Sequence, residues 1–263
     1  MKAHKPLLPL LFPLLLLVTG CNKPSPTEYI GIVSAMDIEI NLLLKEASIK
    51  ESKTVGGATF HVGTLCGKNV VISRSGIGKV RASSGFTCML NNFDIFKVIF
   101  TGVAGGIKDE ENVMDQVIAT KIVEHDYGLQ TNEGFTWCGG DPAFLEPGEY
   151  FHSDPALIDL AYESSLAVLK DHNVFKGLIA TGDQFISSTE YVQWLDKEFD
   201  AYACEMEGAA IAKVCTIYDK PFVVMRTLSD KADGSAQDSY ENFMDEAATQ
   251  SSRIVLKMME SIS

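Results

Sequence analysis

Short β-branched runs alternate with longer segments of helical periodicity along most of this chain, and this pattern constrains the fold more than any other feature. The runs lie at residues 29–33, 69–73, 97–100, 116–120, 177–181 and 222–225. Helical periodicity is expected near 37–47, 79–91, 155–172, 207–218 and 239–262. Such alternation is typical of a largely parallel sheet covered by helices.

Length and composition favour one domain for this sheet. The chain has 263 residues, of which 46% are hydrophobic, enough for a sizeable core. No repeat or second linker interrupts the pattern from Tyr29 onward. We therefore predict a single α/β domain over residues 29–263.

The first 28 residues differ from the rest. Lys2 and Lys5 precede an apolar stretch, Leu7–Val18, which is shorter than the about 20 residues needed to span a bilayer. The sequence VTGC at 18–21 resembles the lipobox of bacterial lipoproteins, so residues 1–20 are expected to be a signal peptide and Cys21 the lipidated residue. Residues 21–28 would then be a lipidated tether, and the protein an exported lipoprotein anchored in a membrane. The alternatives are an ordinary signal peptide or a buried apolar segment.

The overall charge argues against one class of partner. The formal net charge is −13, which opposes binding of nucleic acid or another polyanion. The chain has few arginines, and none lies in its first 73 residues. They are Arg74, Arg81, Arg226 and Arg253.

Polar segments follow several of the predicted strands. They begin at residues 34, 75, 101, 181 and 228. Ligands of open α/β sheets bind beyond the carboxyl ends of the strands, so these segments should converge on one crevice. The Gly76–Arg81 segment fits neither a dinucleotide fingerprint nor a P-loop, and the five histidines lack metal-ligand spacing. We predict neither a cofactor nor a metal.

Acidic residues would give this crevice its chemistry. Glu39, Glu205, Glu207 and Asp230 lie at strand ends or helix starts. A single carboxylate there is as well explained by helix capping. Several together are typical of glycosidic cleavage, in which one carboxyl protonates the leaving group and another activates water. The residues alone indicate an acid/base hydrolase or transferase.

Six segments in order resemble the 5′-methylthioadenosine/S-adenosylhomocysteine nucleosidases of the nucleoside phosphorylase superfamily. They are GIVSAMDIEI (31–40), RSGIGKVRA (74–82), IFTGVAGGI (99–107), TGDQFI (181–186), ACEMEGAAIAKVC (203–215) and PFVVMRTLSDKAD (221–233). The resemblance implies a three-layer α/β/α sandwich around a mixed, largely parallel sheet, assembled as a homodimer. It also implies a small nucleoside as substrate and hydrolysis of its N-glycosidic bond.

The resemblance assigns roles to particular residues. Asp230 would protonate adenine N7, and Glu39 would activate a water held by Ser75 and Arg226. Glu207 would bind the ribose hydroxyls beside Met206. The remaining implied substrate-binding residues are Gly105, Phe185, Ile186, Ser229, Met36, Phe60 and Tyr240. For the aromatic and methionine positions, plain core packing is the alternative.

Two other functions stay open at this point. A purine nucleoside phosphorylase is disfavoured, because Phe100 stands where such relatives carry a phosphate-binding arginine and the N-terminal arginine is missing. A surface lipoprotein that binds nucleosides without catalysis would gain nothing from a water-activating carboxylate. The stretch 126–150 departs from the family pattern, which leaves open the preference among methylthioadenosine, adenosylhomocysteine, 5′-deoxyadenosine and 6-amino-futalosine.

Overall fold

The computed structural model describes residues 27–139 and 148–262. Within them an eleven-stranded sheet has the order β10-β7-β11-β12-β6-β13-β5-β1-β4-β3-β2, and β8 and β9 form a separate hairpin. The strands are β1 (Tyr29–Ser34), β2 (Ser48–Val55), β3 (Ala58–Leu65), β4 (Lys68–Arg74), β5 (Ile95–Phe100), β6 (Val103–Gly106), β7 (Gln116–Glu124), β8 (Gly128–Thr131), β9 (Gly134–Trp137), β10 (Tyr150–His152), β11 (Val174–Thr181), β12 (Ala201–Glu205) and β13 (Phe222–Asp230). The helices are α1 (Asp37–Glu46), α2 (Lys79–Asn92), α3 (Pro155–Val168), α4 (Thr189–Phe199), α5 (Gly208–Ile217) and α6 (Ala236–Ser261).

The sheet is mixed, as predicted. β1 pairs in parallel with β4 and β5, and β11 pairs in parallel with β7 and β12. Antiparallel pairing joins β2 and β3 to β4 at one edge and β10 to β7 at the other. A further antiparallel pairing of β7 with β13 closes β7, β11, β12, β6 and β13 into a ring. This ring brings the ends of β6, β12 and β13 close together.

Helices cover both faces of the sheet. α6 packs on α1 and α3 on one face, and α2 packs on α5 on the other. The predicted three-layer α/β/α arrangement is therefore confirmed. All nine residues of β13 are buried between these layers, which explains the continuous hydrophobic run at 222–225.

The helix ends follow from local chemistry. Asp154 caps α3 by accepting a hydrogen bond from the backbone N–H of Leu157 (3.0 Å), and Pro155 occupies the first helical position, where no N–H is needed. The predicted helix at 155–172 ends earlier, at Val168. One helix, α4, was not predicted at all.

Several expectations concern residues outside the described ranges. The signal peptide at 1–20 and the lipidation site Cys21 belong to them, as does most of the tether. Of the other cysteines, Cys138, Cys204 and Cys215 are buried, Cys88 is half-buried and Cys66 is exposed. No helix within residues 27–139 and 148–262 is long and apolar enough to cross a membrane.

Candidate active site

Segments from several strand ends border a single cavity of about 320 Å³. The start of α1, the strand β6 and the ends of β12 and β13 all contribute to it. The lining residues are Ala35, Met36, Glu39, Ile77, Val103, Ala104, Gly105, Gln184, Phe185, Ile186, Cys204, Glu205, Met206, Glu207, Ser229, Asp230, Gln237 and Tyr240. The four acids singled out in the sequence thus lie around one cavity.

Glu39 is fixed between two backbone N–H groups. Its Oε2 accepts a hydrogen bond from the N–H of Met36 (2.8 Å), and its Oε1 accepts one from the N–H of Val103 (2.9 Å). The side chain is only 2% exposed. Burial raises the pKa of Glu39, while the nearby guanidinium of Arg226 and the backbone donors oppose the rise. The carboxylate is therefore held rigidly and is more basic than an exposed glutamate.

Arg226 lies behind the cavity and is 1% exposed. Its Nη2 donates to Glu205 Oε2 at 2.6 Å and lies 3.6 Å from Glu207 Oε2. Its guanidinium stacks 4.2 Å from the ring centroid of Phe100. Nε and Nη1 have no hydrogen-bond partner within the described part of the chain.

The backbone at Gly102 separates Arg226 from Glu39. A β-carbon there would collide with Glu39 Oε1 and lie 2.9 Å from Arg226 Nη1. A residue other than glycine at position 102 would displace Glu39 or Arg226. Glu39 and Arg226 thus both lie against Gly102, with Glu39 on the cavity side and Arg226 outside the cavity lining.

Glu205 organises the turn between β12 and α5. Its carboxylate accepts hydrogen bonds from the N–H groups of Glu207 (3.1 Å) and Gly208 (2.8 and 2.9 Å) and from Thr181 Oγ1. With Arg226 as a further partner, every lone pair of this buried carboxylate is used. Glu205 therefore supports the turn rather than presenting a free oxygen to the cavity.

Glu207 points into the cavity from that turn. Its Oε1 accepts a hydrogen bond from the N–H of Gly78 (2.8 Å). Burial and the neighbouring charge of Glu205 raise the pKa of Glu207 to about 8, although Arg226 opposes the rise. Glu207 is thus a buried hydrogen-bonding group that lines the same cavity as Glu39 and Asp230.

Asp230 lies at the end of β13 on the other side of the cavity. Its Oδ1 accepts a hydrogen bond from the N–H of Ala232 (2.8 Å), and its Oδ2 accepts one from Ser229 Oγ (2.9 Å). Burial raises the pKa of Asp230 despite these two donors. A β-carbon at Gly105 would lie 2.8 Å from Asp230 Oδ1, so glycine is needed there for space.

An apolar rim surrounds the mouth of the cavity. Phe185 is 46% exposed, and its ring lies edge-on to that of Tyr240 with centroids 5.5 Å apart. The Tyr240 hydroxyl lies 3.5 Å from Met36 Sδ. The rim offers one aromatic face and one sulfur-containing side chain to a flat, partly apolar ligand.

Three of the predicted site residues do not line this cavity: Arg226, which lies behind it, Phe60 and Ser75. Phe60 is completely buried, packs edge-on against Phe93 at 5.4 Å and does not line the cavity, so its expected contact with a substituent is not supported. Ser75 borders the adjacent, larger cavity, and its hydroxyl donates to the backbone carbonyls of Ser34 and Gly76. For Phe60, the alternative of core packing describes the structure.

Other lining residues were missed. Gln184 and Gln237 contribute polar side chains to the cavity. Gln184 belongs to the TGDQFI segment and could have been chosen from its place after β11. Gln237 starts a long helix, and no local signal in the sequence distinguishes it. No group of three or more potential metal ligands occurs among the residues that the structure describes.

The family model of the phosphorylase superfamily matches residues 29–260. The 5′-methylthioadenosine/S-adenosylhomocysteine nucleosidase of Bacillus thuringiensis (strain Al Hakam) is 38% identical over 234 residues, which are 89% of this chain and 99% of that protein. This chain belongs to the methylthioadenosine/adenosylhomocysteine nucleosidase family. The predicted membership is thereby confirmed.

Solved structures of this nucleosidase family have the same fold. The enzyme of Neisseria meningitidis in complex with methylthio-immucillin-A has a TM-score of 0.81 and 34% identity, covering 90% of this chain and all of that one. A Helicobacter pylori protein described as futalosine hydrolase has a TM-score of 0.80 and 32% identity, covering 90% of this chain and 99% of that one.

Proposed function

We propose that this chain hydrolyses the N-glycosidic bond of 5′-methylthioadenosine and S-adenosylhomocysteine, releasing adenine and the corresponding 5′-thioribose. The observation that carries the proposal is the pair of buried carboxyls, Glu39 and Asp230, that line one cavity with raised pKa values. One acid and one base on either side of a bound nucleoside are what such a cleavage requires. Membership of the nucleosidase family supports the same reaction.

Asp230 protonates the leaving group in this mechanism. Adenine leaves poorly as an anion, so a proton must reach N7 as the bond between C1′ and N9 breaks. The raised pKa of Asp230 lets it hold that proton closer to neutral pH than an exposed aspartate would. Phe185 would stack on the base while the backbone of Ile186 contacts its edge.

Glu39 activates the attacking water in this mechanism. A water molecule bound to Glu39 in the cavity would lose a proton to it as its oxygen attacks C1′, and the electrons of the broken bond pass to N9. Arg226 does not line the cavity, so its implied part in holding the water is indirect, through the positive charge that it places behind Glu39. The Ser75 hydroxyl already donates to the backbone carbonyls of Ser34 and Gly76. It would therefore have to change rotamer to help hold the water.

Glu207 binds the sugar. Its carboxyl faces the cavity between the two reacting sides, where it would accept hydrogen bonds from the 2′- and 3′-hydroxyls beside the backbone of Met206. The N–H of Gly78 holds one of its oxygens in place. The positive charge that develops on the ribose in the transition state is stabilised by the surrounding carboxylates.

Water rather than phosphate is the proposed nucleophile. Phe100 occupies the position of a phosphate-binding arginine in the phosphorylase relatives, and here its ring packs against Arg226. Glu39, Glu205 and Glu207 surround the same arginine. A phosphate dianion would meet several carboxylates there and one cation whose charge they already offset.

The test is adenine release from methylthioadenosine by the full chain, with and without phosphate, compared with Asp230→Asn. We expect release that does not depend on phosphate and falls by about 100-fold or more in the variant, which cannot donate the proton. 5-Methylthioribose 1-phosphate as the product would establish a phosphorylase. Binding without release by the unaltered chain would establish the non-catalytic nucleoside-binding protein.

We also propose that the chain forms a homodimer through the surface beside the cavity. Val80 is 77% exposed and Ile77 45% exposed at the start of α2. The salt bridge from Lys79 to Asp126, at 2.6 Å, holds this helix start near the following residue, Tyr127, whose aromatic side chain is also exposed. Exposed apolar side chains clustered at one site favour association.

The variant Val80→Asp tests this dimer surface. We expect light scattering to show a dimer for the unaltered chain and a monomer for the variant. An unchanged mass in the variant would contradict dimerisation through this surface.

Export and membrane attachment stay a proposal from the sequence. Lipidation of Cys21 would leave the catalytic domain on an exported face, where it could supply adenine and thioribose for salvage from external nucleosides. Labelling with a fatty-acid analogue tests this directly. A protein that is unlabelled, and that fractionates like its Cys21→Ala variant, would exclude the anchor.

A further inference from the structure

Three consecutive polar side chains are buried in the middle of α6, outside the cavity lining. Gln250 is 7% exposed, and Ser251 and Ser252 are completely buried. α6 packs on α1, α3 and β13, and in such surroundings a polar group costs free energy unless it is hydrogen-bonded. Gln250 Nε2 donates to the carbonyl oxygen of Met114 (2.7 Å). The two serines bond to the backbone around Glu39.

Ser252 departs from the usual behaviour of a buried serine within a helix. Such a serine donates to the carbonyl oxygen four residues earlier in its own helix. Ser165 of α3 does so, and its hydroxyl lies 2.7 Å from the carbonyl oxygen of Ala161. Ser252 Oγ instead donates to the carbonyl oxygen of Glu39 in α1, at 2.8 Å. The middle of α6 is thus bonded directly to the backbone of Glu39.

Ser251 bonds to the turn between β5 and β6. Its Oγ accepts a hydrogen bond from the N–H of Gly102 and donates one to the carbonyl oxygen of Gly102, each at 3.2 Å. Thr101 Oγ1 lies 2.5 Å away and completes the set as a second donor. The next residue of this turn, Val103, is the one whose N–H donates to Glu39 Oε1 (2.9 Å). Ser251 therefore fixes the backbone segment that supplies a hydrogen-bond donor to the Glu39 carboxylate.

We propose that Ser251 and Ser252 are positioning residues for Glu39 and hold its carboxylate in the orientation in which it takes a proton from the attacking water. This inference rests on the proposed function, in which Glu39 is the base. Neither serine lines the nucleoside cavity, so neither touches the substrate. Loss of their hydrogen bonds should therefore slow bond cleavage and leave nucleoside binding as it is.

The charged and titratable groups that face Glu39 come from three other elements. They are Arg226 of β13, Glu207 of the turn before α5 and Tyr240 at the start of α6. Burial raises the pKa of Glu39, while Arg226 and the backbone N–H donors, Val103 among them, lower it. Substitution of either serine leaves all of these charges in place. A looser Val103 donor is then the change that raises the pKa of Glu39 further.

The test compares Ser251→Ala and Ser252→Ala in the full chain with Ser165→Ala, the matched control that removes a buried helical hydroxyl of α3. Cleavage of methylthioadenosine is followed in single turnovers at increasing enzyme concentration, which separates the rate of bond cleavage from nucleoside binding. We expect the saturating rate to fall about tenfold in Ser251→Ala and about threefold in Ser252→Ala. The half-saturating enzyme concentration should stay within about twofold, and the control should change neither value.

The pH profile supplies a readout that a general loss of stability does not move. Only ionised Glu39 accepts a proton, so the cleavage rate falls as the pH drops through the pKa of Glu39. Because Ser251→Ala loosens the Val103 donor and raises that pKa, the acid limb should move to higher pH by about half a unit. The alkaline limb, which Asp230 sets, should stay in place. Ser165→Ala should move neither limb.

The contradicting results are equally specific. An acid limb that stays in place, a saturating rate that either α6 variant leaves unchanged, or an equal loss in Ser165→Ala would overturn the positioning role while leaving the nucleosidase activity intact. If Ser251→Ala does not fold, Ser251→Cys takes its place with the same expected results, because cysteine has a similar volume and is a much weaker hydrogen-bonding group.

Failure of the proposed function has a different signature. If the unaltered chain releases no adenine, the proposed function fails, and carbon-13 NMR of the Glu39 carboxyl decides about the serines. The variant Glu39→Gln identifies that signal by its disappearance. Titration at higher pH in Ser251→Ala than in the unaltered chain and in Ser165→Ala supports the positioning of Glu39, and equal titration overturns it.

Discussion

The proton on Asp230 is held by a balance that single side chains can shift. Burial favours the neutral acid, and the hydrogen bonds from Ser229 Oγ and from the N–H of Ala232 favour the ionised form. The acid form is the one that protonates adenine. The rate should therefore fall as the pH rises through the pKa of Asp230, so this residue sets the alkaline limb of the pH–rate profile.

Replacing Ser229 by alanine shifts that limb in a defined direction. Ser229→Ala removes the 2.9 Å hydrogen bond to Asp230 Oδ2 and leaves the backbone donor in place. The ionised form is then less stable, the pKa of Asp230 rises further, and the alkaline limb of kcat/KM for methylthioadenosine moves to higher pH. Ser187→Ala, which removes an exposed hydroxyl bonded to the Asp233 carbonyl, is the control. A limb that stays in place or moves to lower pH would refute this account.

Side-chain roles in the cavity are more accessible from the sequence when a residue lies at a strand end or at the start of the helix that follows it. Glu39, Glu207 and Asp230 were expected to meet there, and the structure places all three around one cavity. Phe60 lies within β3 instead, where a buried residue can face either the core or a ligand. The sequence cannot distinguish these two environments, because burial in both favours the same apolar side chain.

At the scale of elements, the long buried strands are predictable from the sequence, whereas the short central strands β6 and β12 and the edge strand β2 are not. β2 is largely exposed and lacks a regular apolar alternation, so its pairing with β3 leaves little trace in the sequence. The Gly56-Gly57 pair between the two strands, with positive φ angles of 59° and 82°, is the one local hairpin signal.

The helix α4, which the sequence analysis does not predict, differs from β2 because its sequence carries two local signals. Ser188 Oγ accepts a hydrogen bond from the N–H of Tyr191 (3.3 Å) and so caps the helix start. Apolar residues also recur at helical spacing and pack in one cluster: Tyr191, Val192, Trp194, Leu195 and Phe199. The cap and the apolar stripe together are a recognisable helix pattern.

The junction between β12 and α5 depends on one carboxylate. Glu205→Gln removes the charge that pairs with buried Arg226 and weakens the hydrogen bonds from the first N–H groups of α5. We expect the free energy of unfolding to fall by about 2–4 kcal/mol, because buried Arg226 loses its directly bonded carboxylate and keeps only the more distant charges of Glu207 and Glu39. Denaturant unfolding measures this change.

A matched control tests whether burial is the reason. Glu149→Gln breaks an ion pair with Lys213 in which both side chains are about half exposed. Solvent screens such a pair, so this change should cost less than about 1 kcal/mol. If both substitutions lowered the free energy of unfolding equally, burial of the ion pair between Glu205 and Arg226 would not explain the effect of Glu205→Gln.

For the whole molecule, buried titratable groups outside the cavity connect stability to pH. His125 is completely buried, and desolvation lowers its pKa to about 4, so charging it opposes folding as the pH falls below the ordinary value of 6.5. Glu111 has the opposite sign. It is 2% exposed, and burial raises its pKa to about 7 even though the N–H groups of Ile107 and Lys108 both donate to its Oε2. Over much of the acidic range these two groups partly cancel.

Glu111→Gln separates the two contributions. In the native state Glu111 holds its proton up to about pH 7, whereas in the unfolded chain it ionises near 4.5. The native state therefore binds more protons between these values, and the stability that this residue contributes below pH 4.5 is lost as the pH rises through 7.

Glutamine at position 111 keeps an acceptor for both N–H groups and does not ionise. Relative to the unaltered chain, the variant should gain about 3 kcal/mol of unfolding free energy between pH 4.5 and pH 8. Urea unfolding at a series of pH values measures this difference, with the exposed Glu133→Gln as control. A constant difference across the series would show that Glu111 ionises alike in the folded and unfolded chains.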